Sequence, residues 1–182
     1  MLVQFVLLTL TLNSLIHTLL ETVRGFDRSK LYIEYVLKLP EGWSNSLKST
    51  ELIGMSQTCL TDDEYVGSIN LPFQFDLESE TDDPAGWPLL LLRVTSISFF
   101  GQHIHEGFGY QLLPQFPGRT SIKIRTLRRI PSSPIDTLSN HFLGHWMDDD
   151  ESESEEGIPE YPEFTTSSGT VEITINTILK ST

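Results

Sequence analysis

The chain has 182 residues, with 12 Lys and Arg against 25 Asp and Glu and a formal charge of −13. That length fits one domain with its own core, and so acidic a balance excludes the basic footprint that nucleic-acid binding requires. Twelve glycines and ten prolines suit many short strands joined by turns better than a helical bundle.

Residues 1–20 form an apolar leader built on Leu2, Val3, Phe5, Val6, Leu7, Leu8, Leu10 and Leu12, continued by Leu15, Ile16, Leu19 and Leu20. Two readings stand. The run has the length of a signal peptide or membrane anchor. Against that, no Lys or Arg precedes Arg24, no small-residue cleavage site follows, and Gln4, Asn13, Ser14 and His17 are costly in lipid. The second reading is a core-packing leader that takes in part of the first strand.

From Leu31 the pattern is that of strands. Leu31 to Leu37 is aromatic and β-branched and is stopped by Pro40-Glu41-Gly42. Leu52 to Leu60 is a second candidate. It contains the only cysteine, Cys59, which excludes an internal disulfide framework and suits a reducing compartment. Free cysteine packs in cores, and a buried Cys59 is expected. In Ser68 to Leu77 the residues Ile69, Leu71, Phe73, Phe75 and Leu77 share one face, while Pro72 points to an edge or a bulge. Trp87 to Phe100 begins almost continuously apolar, as a strand covered on both faces would.

Gly107 to Leu113 and Ser121 to Leu127 follow as strands. Gly107-Phe108-Gly109 lacks the third glycine and the following helix of a dinucleotide fingerprint, and strand-end geometry is the expected reason for it. Arg119, Lys123, Arg125, Arg128 and Arg129 gather five of the twelve cations into eleven positions. Alternation sets Ile122, Ile124 and Thr126 on a core face and Lys123 with Arg125 on a wet face. That positive stripe suits an acidic partner, anionic lipid headgroups, the chain's own acidic run, or simply a solvated sheet face.

Ser133, Pro134 and the stripe Ile135, Leu138, Phe142 predict one short helix that Gly144 ends. An acidic loop over 147–164 carries Asp148–Glu156, with seven of the chain's negatives, and has too little apolar content to order itself. Ser152 and Ser154 lie inside it as candidate phosphorylation sites for acid-directed kinases. Thr170 to Leu179 alternates again and closes the sheet.

No catalytic, cofactor or metal site emerges. His103-x-His105 supplies two ligands without a third. His141 and His145 are separated by the helix-ending Gly144, and neither a nucleophile elbow nor a phosphate loop is present.

The segments Gly25-Phe26-Asp27, Leu31-Tyr32, Gly86-Trp87-Pro88, Gly107-Phe108-Gly109-Tyr110, Leu113-Pro114, Pro117-Gly118 and Phe142-Leu143-Gly144 stand in the order and spacing of the B9 domain. The chain resembles that family from about Gly25 to Leu179. The resemblance implies a C2-like antiparallel Greek-key β-sandwich with one short helix, placed at 21–180 behind the leader. It implies a non-enzymatic scaffold in the cytoplasm at the cilium base, in the transition zone beside the basal body. The partners it implies are other B9-domain proteins and membrane proteins of that zone, with no cofactor. Ser98 stands where the family usually has an acidic residue, which disfavours calcium, a cation that needs several converging oxygens. The alternative function is peripheral, C2-like binding to anionic membrane lipid through the basic stripe.

Overall fold

The computed structural model describes residues 12–46, 52–79, 86–129 and 165–180. Within them the chain forms ten strands: β1 (Leu12–Arg24), β2 (Lys30–Lys38), β3 (Trp43–Asn45), β4 (Ile53–Met55), β5 (Cys59–Leu60), β6 (Val66–Ser79), β7 (Leu89–Ile97), β8 (His103–Leu112), β9 (Gly118–Arg129) and β10 (Thr165–Lys180). The predicted helix and the acidic loop lie outside the described residues.

Every ladder among these strands is antiparallel, in the order β3-β6-β1-β10-β9-β8-β7-β2-β4, with β5 also on β2. This path folds into two layers. One is β3-β6-β1-β10-β9 and the other β8-β7-β2-β4. Among the described residues, the only ladder pair between β8 and β9 is Phe108 with Leu127. The inward faces meet in one core: Ile16, Leu20, Val23, Phe75, Ile124, Val171, Ile173 and Ile175 from the first layer, Leu31, Ile33, Leu37, Leu90, Leu92 and Val94 from the second. Tyr35 of β2 stacks on Phe73 of β6 with ring centroids 4.1 Å apart.

β1 begins inside the apolar leader at Leu12, and it is a central strand of its layer, paired with β6 and β10. Ser14, Ile16, Thr18 and Leu20 face inward and are buried, while His17 is exposed. The polar residues of this stretch fall on both faces, which hides its period of two.

The other expected strands form, with local differences. Leu52–Leu60 is two short strands: at Ser56 the backbone N–H donates to the Ile33 carbonyl at 2.8 Å, but the Ser56 hydroxyl, in place of a backbone carbonyl, accepts from the Ile33 N–H at 2.9 Å. β3 adds a short strand at Trp43, whose indole donates to the Gly86 carbonyl at 3.1 Å and meets Trp87 edge-on. Among the described residues, Pro72 sits where β6 has no outer neighbour, since β3 covers only Leu77 to Ser79. Beside it, Asn70 has a positive φ of 50° at a register shift. β7 runs between β2 and β8 and is largely buried, as its composition predicts.

Gly107 and Gly109 correct an expectation. They lie in the interior of β8, and both face the first layer. A Cβ at Gly109 would sit 2.9 Å from Ile124 Cγ2, and one at Gly107 would collide with the Ser168 hydroxyl and sit 3.1 Å from the Thr126 side chain. Close approach of β8 to β9 and β10 is the physical requirement, not a strand end.

Candidate functional site: two unlike sheet faces

The two outer faces of the sandwich differ in chemistry. On the second layer, register sets Tyr110, Leu91, Val36 and Ile53 in one cross-strand row. The next row is Phe108, Arg93, Glu34 and Met55. Ile53 is 62% exposed and Met55 64%, with Tyr110 and Leu112 also open. Side chains on one face of adjacent strands lie about 4.5–5.5 Å apart, so Tyr110, Leu91, Val36 and Ile53 form a continuous apolar strip, and Arg93 with Glu34 sets charge in the middle of the row beside it. Scattered surface hydrophobics need no explanation, whereas a contiguous patch marks an interaction surface. At one end of this face Tyr32 shares a 2.9 Å hydrogen bond with His103 Nδ1. Burial, assisted by the Glu34 charge, raises the Tyr32 phenol above its ordinary pKa, so it stays protonated.

The first layer presents the basic residues. Arg119, Lys123 and Arg125 alternate along β9 and are exposed, opposite Asn176, Glu172 and Thr170 of β10. Lys123 meets Glu172 at 3.0 Å and Arg24 meets the same carboxylate at 3.4 Å, while Thr22 donates to it at 2.8 Å. The Lys123 hydrogen bond, then that of Thr22, with the Arg24 charge adding, hold the Glu172 carboxyl below its usual pKa despite partial burial. A shallow depression of about 400 Å³ lies beside Arg119, lined also by His17, Thr18, Leu19, Pro72, Thr174 and Asn176.

Arg128 does not share that face. Its guanidinium turns to Glu106 at 3.3 Å, and the Arg129 side chain lies outside the described residues, as do Ser152 and Ser154. The sequence thus marks five cations, and the structure brings three of them together on one surface.

Glu106 is a residue that sequence reasoning passed over. Between Val94 and Thr95 the β7–β8 register shifts by one residue, so Gly107 and His105 are paired and Glu106 is left between them. A bulge of this kind re-aims a side chain, and Glu106 turns inward, 3% exposed. Ser96 donates to it at 2.7 Å, and Arg28 lies at 3.7 Å. A carboxylate in a strand flanked by glycine was the available signal, but register cannot be read from one strand.

His103 and His105 do share a face, and each has a side-chain neighbour: Tyr32 for the first, Thr95 at 3.4 Å for the second. Among the described residues, no three His, Cys, Asp or Glu side chains converge as a metal site would need. Cys59 is buried as expected, its thiol pushed to higher pKa by burial.

This architecture is that of C2 domains. A C2 domain of plant Extended Synaptotagmin 1 superposes with a TM-score of 0.52 over 93% of this chain and 95% of that domain, at 10% sequence identity. The family model described as ciliary basal body-associated, B9 protein matches residues 15–178, and the chain belongs to that family.

Among curated proteins it is 28% identical over 131 residues to Tectonic-like complex member MKS1 of Homo sapiens, covering 68% of this chain and 23% of that protein. It is 25% identical over 156 residues to B9 domain-containing protein 2 of Drosophila melanogaster, covering 85% and 86%. B9 domain-containing protein 1 of Mus musculus is 23% identical over 124 residues, covering 68% and 60%. The chain therefore spans about a quarter of MKS1. The segments Gly54–Cys59 and Thr166–Val171 carry the motif likeness to that protein, which is the Meckel syndrome type 1 protein.

Proposed function

We propose that the chain is a non-enzymatic interaction module of the ciliary transition zone, on the cytoplasmic side at the cilium base. There it binds other B9-domain proteins and supports cilium assembly and the diffusion barrier. The observation that carries this reading is the apolar outer face of β8-β7-β2-β4, where Tyr110, Leu91, Val36 and Ile53 stand in one row. A water-facing strip of this kind is retained at a cost in solubility, and covering it with a partner removes apolar area from water. Tyr and Met are enriched at the centres of such interfaces. The names of the relatives, which include a Tectonic-like complex member, suit assembly rather than turnover of a substrate.

The test is co-purification of the folded domain with B9 domain-containing protein 1 or 2 at micromolar concentration. A complex is expected, and Ile53→Asp with Tyr110→Asp should weaken it at least tenfold without shifting thermal unfolding. Failure to form a complex while both proteins are folded overturns the reading. Proximity labelling in ciliated cells tests the location separately.

A further inference from the structure

Among the described residues, strand β9 has no ladder neighbour along much of one side. Among the described residues, Gly118 to Lys123 take ladder partners from β10 alone, and β8 touches β9 in register only at Leu127. Gly118 to Ser121 are exposed whichever face they point to. An edge strand turns half its N–H and C=O groups away from its own sheet, and that row is a template for another strand.

The charges on this edge are not equivalent. Lys123 is matched by Glu172, and Arg128 by Glu106. Among the described residues, Arg119 and Arg125 lie within ion-pair distance of no carboxylate, and their cross-strand neighbours Asn176 and Thr170 are neutral. Six residues of strand separate the two by about 20 Å. Cations on an edge repel a second copy of the same edge, which protects the domain from pairing with itself. The same charges favour a strand that carries carboxylates.

We propose that the open edge of β9, from Gly118 to Lys123, accepts an extended acidic segment of a partner protein as an added β-strand. The main chain of the incoming segment pairs with β9, and carboxylates near its two ends meet Arg119 and Arg125. This is strand addition, in which backbone hydrogen bonds supply affinity and alternate side chains supply specificity. A membrane surface is another anionic partner to consider. Surface recognition of anionic lipid uses clusters of roughly 4–8 Lys or Arg, and two uncompensated arginines fall short of that number.

The experiment uses fluorescence anisotropy with a labelled eight-residue peptide of alternating Glu and Thr. Two more versions are N-methylated, one on the Glu residues and one on the Thr residues. Strand addition uses the N–H groups of one side only. One methylated peptide should therefore lose binding at least tenfold, and the other should bind within about twofold of the parent. R119E/R125E should lower affinity at least tenfold and favour a Lys-Thr peptide, with thermal unfolding unchanged. Three results overturn the proposal: no binding of the parent peptide, equal binding of both methylated forms, or phosphatidylserine vesicles that R119E/R125E releases while the peptide fails to compete. None of these bears on the apolar face, so failure here is separable from failure of the proposed function.

Discussion

The Ser96 hydroxyl donates a 2.7 Å hydrogen bond to the Glu106 carboxylate, joining β7 to the bulge of β8 beneath the surface of the sandwich. Ser96 is fully buried and Glu106 nearly so. Arg28 from the β1–β2 loop and Arg128 from the end of β9 reach the same carboxylate from half-exposed positions. One buried acid thus ties together three segments at one end of the fold.

Replacing Glu106 with Ala removes the close acceptor and leaves the buried Ser96 hydroxyl only the Ile104 carbonyl at 3.5 Å, while the two arginines regain water. We expect a loss of about 1–3 kcal/mol, read as a lower urea midpoint at unchanged slope. Arg28→Ala should cost less than about 1 kcal/mol, as an exposed partner does. Equal losses for the two would show that the carboxylate's burial is not what matters.

Gly107→Ala should destabilise by roughly 1–3 kcal/mol through overpacking, because the new methyl meets Ser168 and Thr126. The Thr126 hydroxyl already holds the β10 bulge, accepting from the Gly169 N–H at 3.1 Å and donating to the Gly169 carbonyl at 3.0 Å. Neither strand can easily retreat. Adding Ser168→Gly should recover part of the loss, so the double variant is less destabilised than the sum of the singles. Thermal unfolding of the four proteins measures this.

Glu172 gives a pH dependence of definite sign. Its folded pKa lies below the ordinary value of 4.5, so the folded state releases this proton more readily than the unfolded chain. Its contribution is complete above about pH 4.5 and is lost as pH falls through the folded value. A carboxyl-carbon NMR titration should place the midpoint below 4.5, and Lys123→Met should move it upward. A midpoint that ignores Lys123 would contradict the assigned cause.

Cys59 should be slow to react. Burial raises its pKa, and a thiolate is the reactive form. A Cβ at Gly67 would approach its sulfur to 2.8 Å, so β6 lies tightly over it. A thiol reagent at neutral pH should modify Cys59 at the rate of opening of the structure, with the rate rising in subdenaturing urea. Immediate stoichiometric labelling of the folded protein would count against this packing.

Local pattern alone was enough for β2, β6, β7, β8, β9 and β10, because alternation of apolar and polar residues has the period of a pleated strand. It also set Ile124 and Thr126 inward and Lys123 with Arg125 outward, and it placed Cys59 in the core. β1 was obscured by the continuous apolar run before it, and β3 is too short to have a period. The motifs from Gly25 to Gly118 carried the B9 likeness because turn glycines and prolines answer to backbone geometry, which is local.

What no single strand reveals is its register against its neighbours. That Tyr110, Leu91, Val36 and Ile53 align on one outer face depends on three separate ladders. The inward turn of Glu106 depends on one extra residue opposite Val94 and Thr95. The division of Arg119, Lys123, Arg125 and Arg128 into paired and open cations depends on acids that lie far away in the chain, Glu172 on β10 and Glu106 on β8. Period and composition follow from each residue and its near neighbours. Pairing across strands is set by how the whole sandwich closes, and it decides which surfaces are left for partners.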